Sequence, residues 1–346
     1  LHTPSSPPVE FSAAAGENAN QTGGDTLIPR IRIAHLPTPV EALPRLSSAL
    51  GGPRLLVKRD DLTGLAFGGN KTRKLEFVLA EALSHGARTL VTTGAAQSNH
   101  CRQTAALTAQ VGLDCILVLN GDTNAPASGN LLLDQLFAAE IVWTTREERQ
   151  AALQSTFQKA WEGGRRPYLV PLGASNAIGA LGYVFAFEEL MIQQVNPDWI
   201  VFASSSGGTQ AGLVLGARRA DWSGKILGIS IDEPQEELQR VVAELATEAS
   251  ERFGDKIHFK PREILVNPDY LGAGYGILAQ PEIEAIRLFA RSQGLLLDPV
   301  YTSRAAAGMI DLIRKGFFRK DETILFWHTG GTPALFAQQY SKDLCA

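Results

Sequence analysis

The chain has 346 residues, of which 45% are hydrophobic and 20% charged, a composition typical of a folded globular protein with two domains or one large domain with a second lobe. A formal net charge of -4 provides no basic surface of the kind that binds nucleic acid. The longest apolar runs, WIVFA and TILFW, are strand-sized and far short of the ~20 residues of a membrane span, so we expect neither nucleic acid nor a membrane as a partner.

The first 30 residues are rich in Pro, Ser, Gly and Asn, and no Lys or Arg precedes Arg30. This segment lacks the basic start and apolar centre of a signal peptide, and we interpret it as a flexible arm. The cysteines, Cys101, Cys115 and Cys345, are odd in number and show no metal-binding spacing. We therefore expect a reducing compartment, namely the cytoplasm, and no catalytic metal.

From Arg54 onward, short β-branched runs alternate with helical patterns. The predicted order is strand RLLVKRD, helix NKTRKLEFVLAEALSHG, strand RTLVTTG, helix QSNHCRQTAALTAQVG, strand DCILVLNG, helix NLLLDQLFAA and strand EIVWTT. Strands then recur at PYLVPLG, NPDWIVFASSSGG, KILGISI and ETILFWHTGG. The alternation predicts an α/β protein of two lobes with open parallel sheets, and a ligand at the carboxyl ends of the strands.

The first helical pattern begins with two lysines, Lys71 and Lys74, in FGGNKTRKLE. Three residues apart, they share one helical face, so we expect Lys74 to lower the pKa of Lys71 by repulsion. A lysine with a lowered pKa is a nucleophile that can anchor a cofactor covalently. The alternative is an exposed basic first turn, which is disfavoured because cations oppose the dipole at a helix N-terminus.

The stretch WIVFASSSGGTQAG predicts a strand, a turn of small residues and a helix. Hydroxyls and backbone amides at such a helix start favour an anion site; the alternative is a tight turn with serine caps. The residues concerned are Ser205, Ser206, Gly207, Gly208 and Thr209.

A nicotinamide-binding site is a second interpretation of this turn. Asp232 lies at the tip of the next predicted strand. Its spacing from the glycines along the sequence is close to the ~20 residues at which an acidic residue binds the ribose in such sites. However, the glycines are Gly207, Gly208 and Gly212, which is not the G-x-G-x-x-G spacing that such sites use.

A third polar turn, GAAQSNHCRQ, places Ser98, Asn99 and His100 at the start of a helix. A carboxylate at this position gains from the helix dipole and the free amides. Taken singly, Ser98 or Asn99 is more simply interpreted as a helix cap and His100 as a structural hydrogen-bonding residue.

Five stretches in the same order resemble the D-cysteine desulfhydrase and 1-aminocyclopropane-1-carboxylate deaminase family. They are KRDDLTGLAFGGNKTRKLEF, GAAQSNHCRQTAA, GASNAIGALGYV, LLLDPVYTSRAAAGMIDLI and LFWHTGGTPALF, and the resemblance covers about residues 33–336. It implies a pyridoxal-phosphate enzyme of the tryptophan-synthase-β-like class (fold type II), a small amino-acid substrate and a homodimer.

The resemblance also implies the roles of individual residues. Lys71 forms the Schiff base with pyridoxal 5'-phosphate, with Lys74 near the phosphate, and Asn99 bonds the ring hydroxyl. The turn Ser205 to Thr209 holds the phosphate, and Thr329 faces the pyridine nitrogen. The remaining implied roles are substrate-carboxylate binding by Ser98, Asn99 and His100, and catalysis on the substrate side by Ser98, Tyr275 and Tyr301.

Within the family, the deaminase branch typically carries a glutamate directly after the tyrosine of DPVY, where this chain has Thr302. We therefore predict β-elimination from D-cysteine to pyruvate, hydrogen sulfide and ammonia. L-Cysteate sulfo-lyase and the deaminase are the alternatives; a sulfonate would need cationic groups such as Arg102 or Arg304 in the pocket. A nicotinamide-dependent oxidoreductase and a non-catalytic vitamin-B6-binding protein remain open from other classes.

Family likeness also predicts the domain organisation. The arm covers residues 1–30, and a large cofactor-binding domain combines 31–72 with 189–346. A small substrate-side domain, 73–188, is inserted between them.

Overall fold

The computed structural model describes residues 28–124 and 126–345. The strands found within these ranges are β1 Val40–Ala42, β2 Arg54–Arg59, β3 Thr89–Ala95, β4 Asp114–Asn120, β5 Glu140–Thr144, β6 Pro167–Leu169, β7 Trp199–Ser204, β8 Lys225–Ser230, β9 Leu265–Asn267 and β10 Thr323–His328. The α-helices found there are α1 Pro44–Leu50, α2 Asn70–Ser84, α3 Asn99–Val111, α4 Gly129–Leu136, α5 Arg149–Glu162, α6 Ala177–Ile192, α7 Gly208–Arg219, α8 Gln235–Arg252, α9 Gln280–Gln293, α10 Thr302–Arg314 and α11 Gln338–Cys345. Most of the predicted arm lies outside the described residues.

The larger sheet has the strand order β1-β2-β10-β7-β8-β9. Its pairs are parallel except that edge strand β1 runs antiparallel to β2. Alternate side chains of β2 enter different apolar clusters, Leu55 and Val57 on the side of α9 and α10, and Leu56 on the side of α6 and α7. Helices therefore cover both faces, which explains why its central strands are apolar runs without alternation.

The smaller sheet has the order β5-β4-β3-β6, and all its pairs are parallel. Leu117 of β4 packs with Leu131 of α4 on one face, and Ile116 packs with Leu153 of α5 on the other. The predicted α/β class with open parallel sheets in two lobes is thus confirmed.

Two glycines allow the helices between the lobes to approach closely. A Cβ on Gly182 of α6 would lie 2.4 Å from the carbonyl oxygen of Arg73 in α2. A Cβ on Gly212 of α7 would lie 2.2 Å from the carbonyl oxygen of Ala180 in α6. Since neither contact tolerates a side chain, α2, α6 and α7 form one closely packed layer beside the cavity described below.

The predicted domain boundaries, at residues 73 and 188, both fall inside helices, α2 and α6. Helix α6 shares apolar clusters with α7 and α8 of the larger lobe. We therefore propose that the small lobe is centred on its sheet, from β3 to β6, and that α6 belongs to the large lobe.

Among the described residues, no helix has the length and apolar character needed to cross a bilayer. The same part of the chain contains no group of three or more His, Cys, Asp and Glu side chains arranged to hold a metal ion.

Candidate active site

A cavity of about 160 Å³ lies between the two sheets, at the carboxyl ends of their strands. The three polar turns that were predicted to meet at one edge follow β3, β7 and β10, and residues of all three line this cavity. The predicted site residues that line it are Lys71, Ser98, Asn99, His100, Ser205, Ser206, Gly207, Thr209, Tyr275, Tyr301 and Thr329. Lys74 and Gly208 are not among the lining residues.

The Lys71 amine reaches the cavity from the first turn of α2. Gly69, with φ of +125°, precedes the helix in a conformation that favours glycine. The Nζ atom of Lys71 donates to Asn70 Oδ1 at 3.0 Å, and Asn70 Nδ2 donates to Thr209 Oγ1 at 3.0 Å. Asn70, which was not predicted as a site residue, thus connects the amine to the first turn of α7.

Burial lowers the pKa of Lys71 to about 8; the charge of Asp298 raises it and that of Arg102 lowers it. An ordinary lysine has a pKa near 10.4, so this amine is far more often neutral at physiological pH. A neutral amine can attack a carbonyl carbon or accept a proton.

The amine of Lys74 packs against the small-residue turn that precedes α7. Its Nζ donates to Gly173 O and to Ser175 Oγ, both at 2.9 Å, and a Cβ on Gly208 would lie 2.8 Å from it. The amine therefore lies behind the turn rather than in the cavity. Burial, with a contribution from Lys71, lowers the pKa of Lys74 well below its usual value. Burial is the largest cause of the lowered pKa at both amines, Arg102 contributes at Lys71, and the repulsion between the two lysines appears at Lys74.

The small-residue turn forms a cradle at the start of α7. Gly207 has φ of +79°, and a Cβ on Gly208 would lie 2.7 Å from Ser175 Oγ. The hydroxyls of Ser175 and Ser206 are 2.8 Å apart. Because the first amides of a helix have no intrahelical partners, this turn offers hydroxyls and amides to an anion without side chains in the way.

The α3 turn fits both interpretations of its sequence. Ser98 caps the helix by accepting from the Cys101 amide at 3.2 Å, and it also lines the cavity. Asn99 lines the cavity beside it.

His100 is buried and is oriented by Thr92. The single Thr92 hydroxyl proton is donated to Val170 O at 2.8 Å, so His100 Nε2 donates to Thr92 Oγ1, also at 2.8 Å. Burial, followed by the charges of Lys71 and Lys74, lowers the pKa of His100 well below its usual value. The neutral ring therefore keeps a lone pair on Nδ1, which cannot donate to a carboxylate. His100 thus lines the cavity beside Ser98 and Asn99 without a proton on Nδ1.

Two tyrosines, Tyr275 and Tyr301, also line the cavity. The hydroxyl oxygens of Tyr275 and Tyr301 lie 2.6 Å apart, and their rings meet edge to face. Burial raises the pKa of each hydroxyl above its usual value. Both groups therefore stay protonated at neutral pH and are suited to donate a proton.

Neither Arg102 nor Arg304 lines the cavity. Arg304 pairs with Glu282 at 2.9 Å and donates to the carbonyls of Gly274 and Ile277, which flank Tyr275. Arg304 therefore holds the segment that contains Tyr275 from a position outside the cavity. Instead, Arg146 and Arg149 line the cavity, together with Asp232 and Glu233. Neither Arg146 nor Arg149 was predicted, because they lie in TTREERQ, which matches no motif.

Thr329 follows β10 and lines the cavity. Thr302 is buried next to Tyr301 and is held by Asp298, which accepts from the Thr302 hydroxyl at 2.8 Å and from its amide at 2.6 Å. Directly after Tyr301, the chain thus has a threonine whose amide and hydroxyl both donate to Asp298.

The family profile described as "Pyridoxal-phosphate dependent enzyme" matches residues 31–330. The chain belongs to this family. A solved structure described as an ACC deaminase homologue is 38% identical over 92% of this chain and 96% of its own, with a TM-score of 0.84. The resemblance to the desulfhydrase and deaminase family is thereby confirmed, as is pyridoxal phosphate as the cofactor.

More distant solved structures share the fold of this pyridoxal-phosphate enzyme. A fungal L-serine ammonia-lyase from Rhizomucor miehei is 18% identical, covers 90% of this chain and 98% of its own, and has a TM-score of 0.64. A hydrogen sulfide-producing enzyme from Fusobacterium nucleatum is 14% identical, covers 86% and 96%, and has a TM-score of 0.61. These likenesses confirm the fold type II class.

The residues of the cavity fit this cofactor. The hydroxyls and amides of the turn before α7 suit a phosphate, and the Lys71 amine suits an aldehyde. The nicotinamide interpretation is wrong, since the family assigns another cofactor; Asp232 lies in the same cavity. The chain is thus a pyridoxal-phosphate-dependent enzyme.

The lowered pKa of Lys71 predicts how cofactor loading of the apoprotein depends on pH. Only the neutral amine reacts, and its fraction falls about tenfold for each pH unit below the pKa. We expect the loading rate to rise with pH up to about 8 and then to level off. Stopped-flow absorbance with added pyridoxal phosphate measures this; a rise that continues to pH 10 would show an ordinary lysine.

Proposed function

We propose that the enzyme eliminates the β-substituent of D-cysteine, so that D-cysteine and water give pyruvate, hydrogen sulfide and ammonia. When bound, pyridoxal phosphate supplies an electron sink for the bonding electrons at the substrate α-carbon. The protein supplies binding, orientation and proton transfer.

The first role in this proposal is that of Lys71, which bonds the cofactor and then takes the proton from the substrate α-carbon at Nζ. A pKa of about 8 supports this, because a general base works best with a pKa close to the pH of its surroundings. Asn70 holds the amine at 3.0 Å and so directs it.

The substrate carboxylate is proposed to bind at the start of α3, to Ser98 and the adjacent amides. The helix dipole favours an anion there. Because the His100 ring is neutral and its Nδ1 carries a lone pair, His100 orients this turn through Thr92 rather than donating to the carboxylate.

The proton for the departing thiol is proposed to come from the Tyr275 and Tyr301 pair. A hydroxyl that donates to its neighbour at 2.6 Å leaves the neighbour's proton free for the leaving group. The raised pKa values keep both hydroxyls protonated until that step.

The observation that carries the choice of substrate is Thr302. The deaminase branch typically has a glutamate at this position, whereas here a threonine is closed off by its hydrogen bonds to Asp298. At the ring nitrogen, the proposed partner Thr329 offers a hydroxyl instead of a carboxylate. Such a partner does not keep the nitrogen protonated, which favours prompt loss of a β-substituent over a long-lived carbanion.

Cysteate sulfo-lyase is the second candidate, and Arg146 and Arg149 favour it. Both line the cavity, where a sulfonate on the substrate would gain from their charge. Asp232 and Glu233 line the same cavity and oppose such an anion, so we place this function second.

An amino-acid panel tests the proposal. D- and L-cysteine, L-cysteate, β-chloro-D-alanine and 1-aminocyclopropane-1-carboxylate are each incubated with the holoenzyme, and keto-acid and sulfide formation are measured. We expect the highest kcat/KM with D-cysteine, with one sulfide released per pyruvate. Preference for cysteate or for the cyclopropane substrate would replace the proposed function with that alternative, and no product from any of them would indicate a binding protein.

A further inference from the structure

The Asn99 side chain is held from behind by a residue outside the cavity. Its Oδ1 accepts from Asn130 Nδ2 at 2.8 Å. Asn130 belongs to α4 and is fully buried, and it is not among the residues that line the cavity.

Two neighbours with fixed polarity determine which end of the Asn130 amide is which. Arg102 Nη1 donates to Asn130 Oδ1 at 3.3 Å, and an arginine can only donate. Asn130 Nδ2 donates to the backbone oxygen of Gln97 at 2.8 Å, and a carbonyl can only accept. Reversing the Asn130 amide would set donor against donor on one side and acceptor against acceptor on the other.

The orientation of Asn99 follows from that of Asn130. Because Asn130 presents N–H groups, Asn99 must turn its Oδ1 toward Asn130, which leaves its Nδ2 as the free end. Gly331 makes room for this end, since a Cβ there would lie 2.6 Å from Asn99 Nδ2. Among the described residues, no acceptor bonds this Nδ2, and Asn99 lines the cavity.

The guanidinium of Arg102 also bonds the segment that precedes α2, the helix that carries Lys71. Arg102 Nη2 donates to Gly68 O at 2.7 Å, immediately before the glycine that precedes α2. Arg102 is fully buried, so these bonds form without competition from solvent. One side chain therefore links the segment that carries Lys71 to the amide pair of Asn130 and Asn99.

We propose that Asn130 and Arg102 are positioning residues that force Asn99 to act as a hydrogen-bond donor to the ring oxygen of the cofactor. The relay runs from Arg102 through Asn130 to Asn99. This proposal rests on the proposed function and on the role that the family resemblance implies for Asn99, a hydrogen bond to the ring hydroxyl of pyridoxal phosphate.

The experiment compares Asn130→Asp with the wild type. A carboxylate at position 130 accepts from Arg102 but cannot donate, so Asn99 turns its Nδ2 away from the cavity and presents an oxygen to the ring oxygen. We expect the dissociation constant for pyridoxal phosphate to rise about tenfold or more, as for an unpaired buried polar contact. We also expect the pH midpoint of the visible absorption band to move upward, because the ring oxygen loses its donor.

Two further variants keep the test decisive. Asn196→Asp adds the same charge at an exposed site and is expected to leave both quantities unchanged. If Asn130→Asp fails to fold, Asn130→Ser, which removes the relay without adding charge, is expected to show the same direction of change. In an Asn99→Ala background, Asn130→Ser should add nothing, since Asn130 acts only through Asn99.

Unchanged cofactor affinity and an unchanged pH midpoint in the Asn130 variants would overturn the relay. So would equal effects of Asn130→Ser with and without Asn99, which would indicate a purely structural role. Borohydride reduction of the same variants keeps the two proposals separate. If the pyridoxyl group is found on Lys71 while the Asn130 variants keep the wild-type cofactor affinity and pH midpoint, only the present inference is contradicted.

Discussion

Replacing Lys71 with alanine is expected to lower the rate of keto-acid formation by about 10³-fold or more, in line with the loss of a positioned base together with its covalent role. The reason is local: Asn70 holds this amine in the cavity, and burial lowers its pKa to about 8. A coupled dehydrogenase assay for pyruvate measures the effect, with circular dichroism as the check on folding.

Lys315→Ala is the matched control. Its side chain is 67% exposed and pairs with Asp311 on the surface, so we expect the wild-type rate. A Lys71→Ala enzyme that retains activity within tenfold of wild type would contradict the assignment of the base.

Removing Asp60 is expected to have the largest effect on stability. Its buried carboxylate accepts from Arg73 at 2.8 and 3.0 Å, from Tyr183 at 2.5 Å and from Trp327 at 2.7 Å. Burial raises the pKa of Asp60, but the charge of Arg73 and its hydrogen bonds outweigh this and keep the pKa below its usual value. Among the described residues, Glu189 is then the one anionic partner left to the buried guanidinium of Arg73, so we expect the free energy of unfolding of Asp60→Ala to fall by about 3–5 kcal/mol.

Asp321→Ala is the control for this change. Asp321 pairs with Arg319 at 3.2 Å, with both side chains more than 70% exposed, and such pairs contribute about 0–1 kcal/mol. Urea denaturation of the two variants measures the difference. A loss at Asp60 no larger than that at Asp321 would show that the buried network contributes little to stability.

The fold and the position of the site followed from local patterns. Apolar runs that end in small polar residues mark parallel strands, and parallel strands bring their carboxyl ends to one edge. For this reason the amino-acid sequence alone predicts that the turns containing Ser98, Ser206 and Thr329 meet, and they do line one cavity.

Other parts of the site depend on contacts that no local pattern reveals. Lys74 shares a helical face with Lys71, but where its amine ends is decided by Gly173 and Ser175, about 100 residues away in the chain. Likewise, Asn130 lies in an ordinary helical stretch, and only the folded chain brings it to Asn99. Spacing along the sequence can place residues on one face, but it does not report burial or distant partners.

The central claim is that Lys71 bonds the cofactor, and borohydride reduction of the holoprotein followed by peptide mapping tests it most directly. The measurement is discriminating because Lys74, three residues away, is buried and its pKa is also lowered by burial. We predict the pyridoxyl mass on Lys71 alone. Its appearance on Lys74, or on neither lysine, would contradict the account.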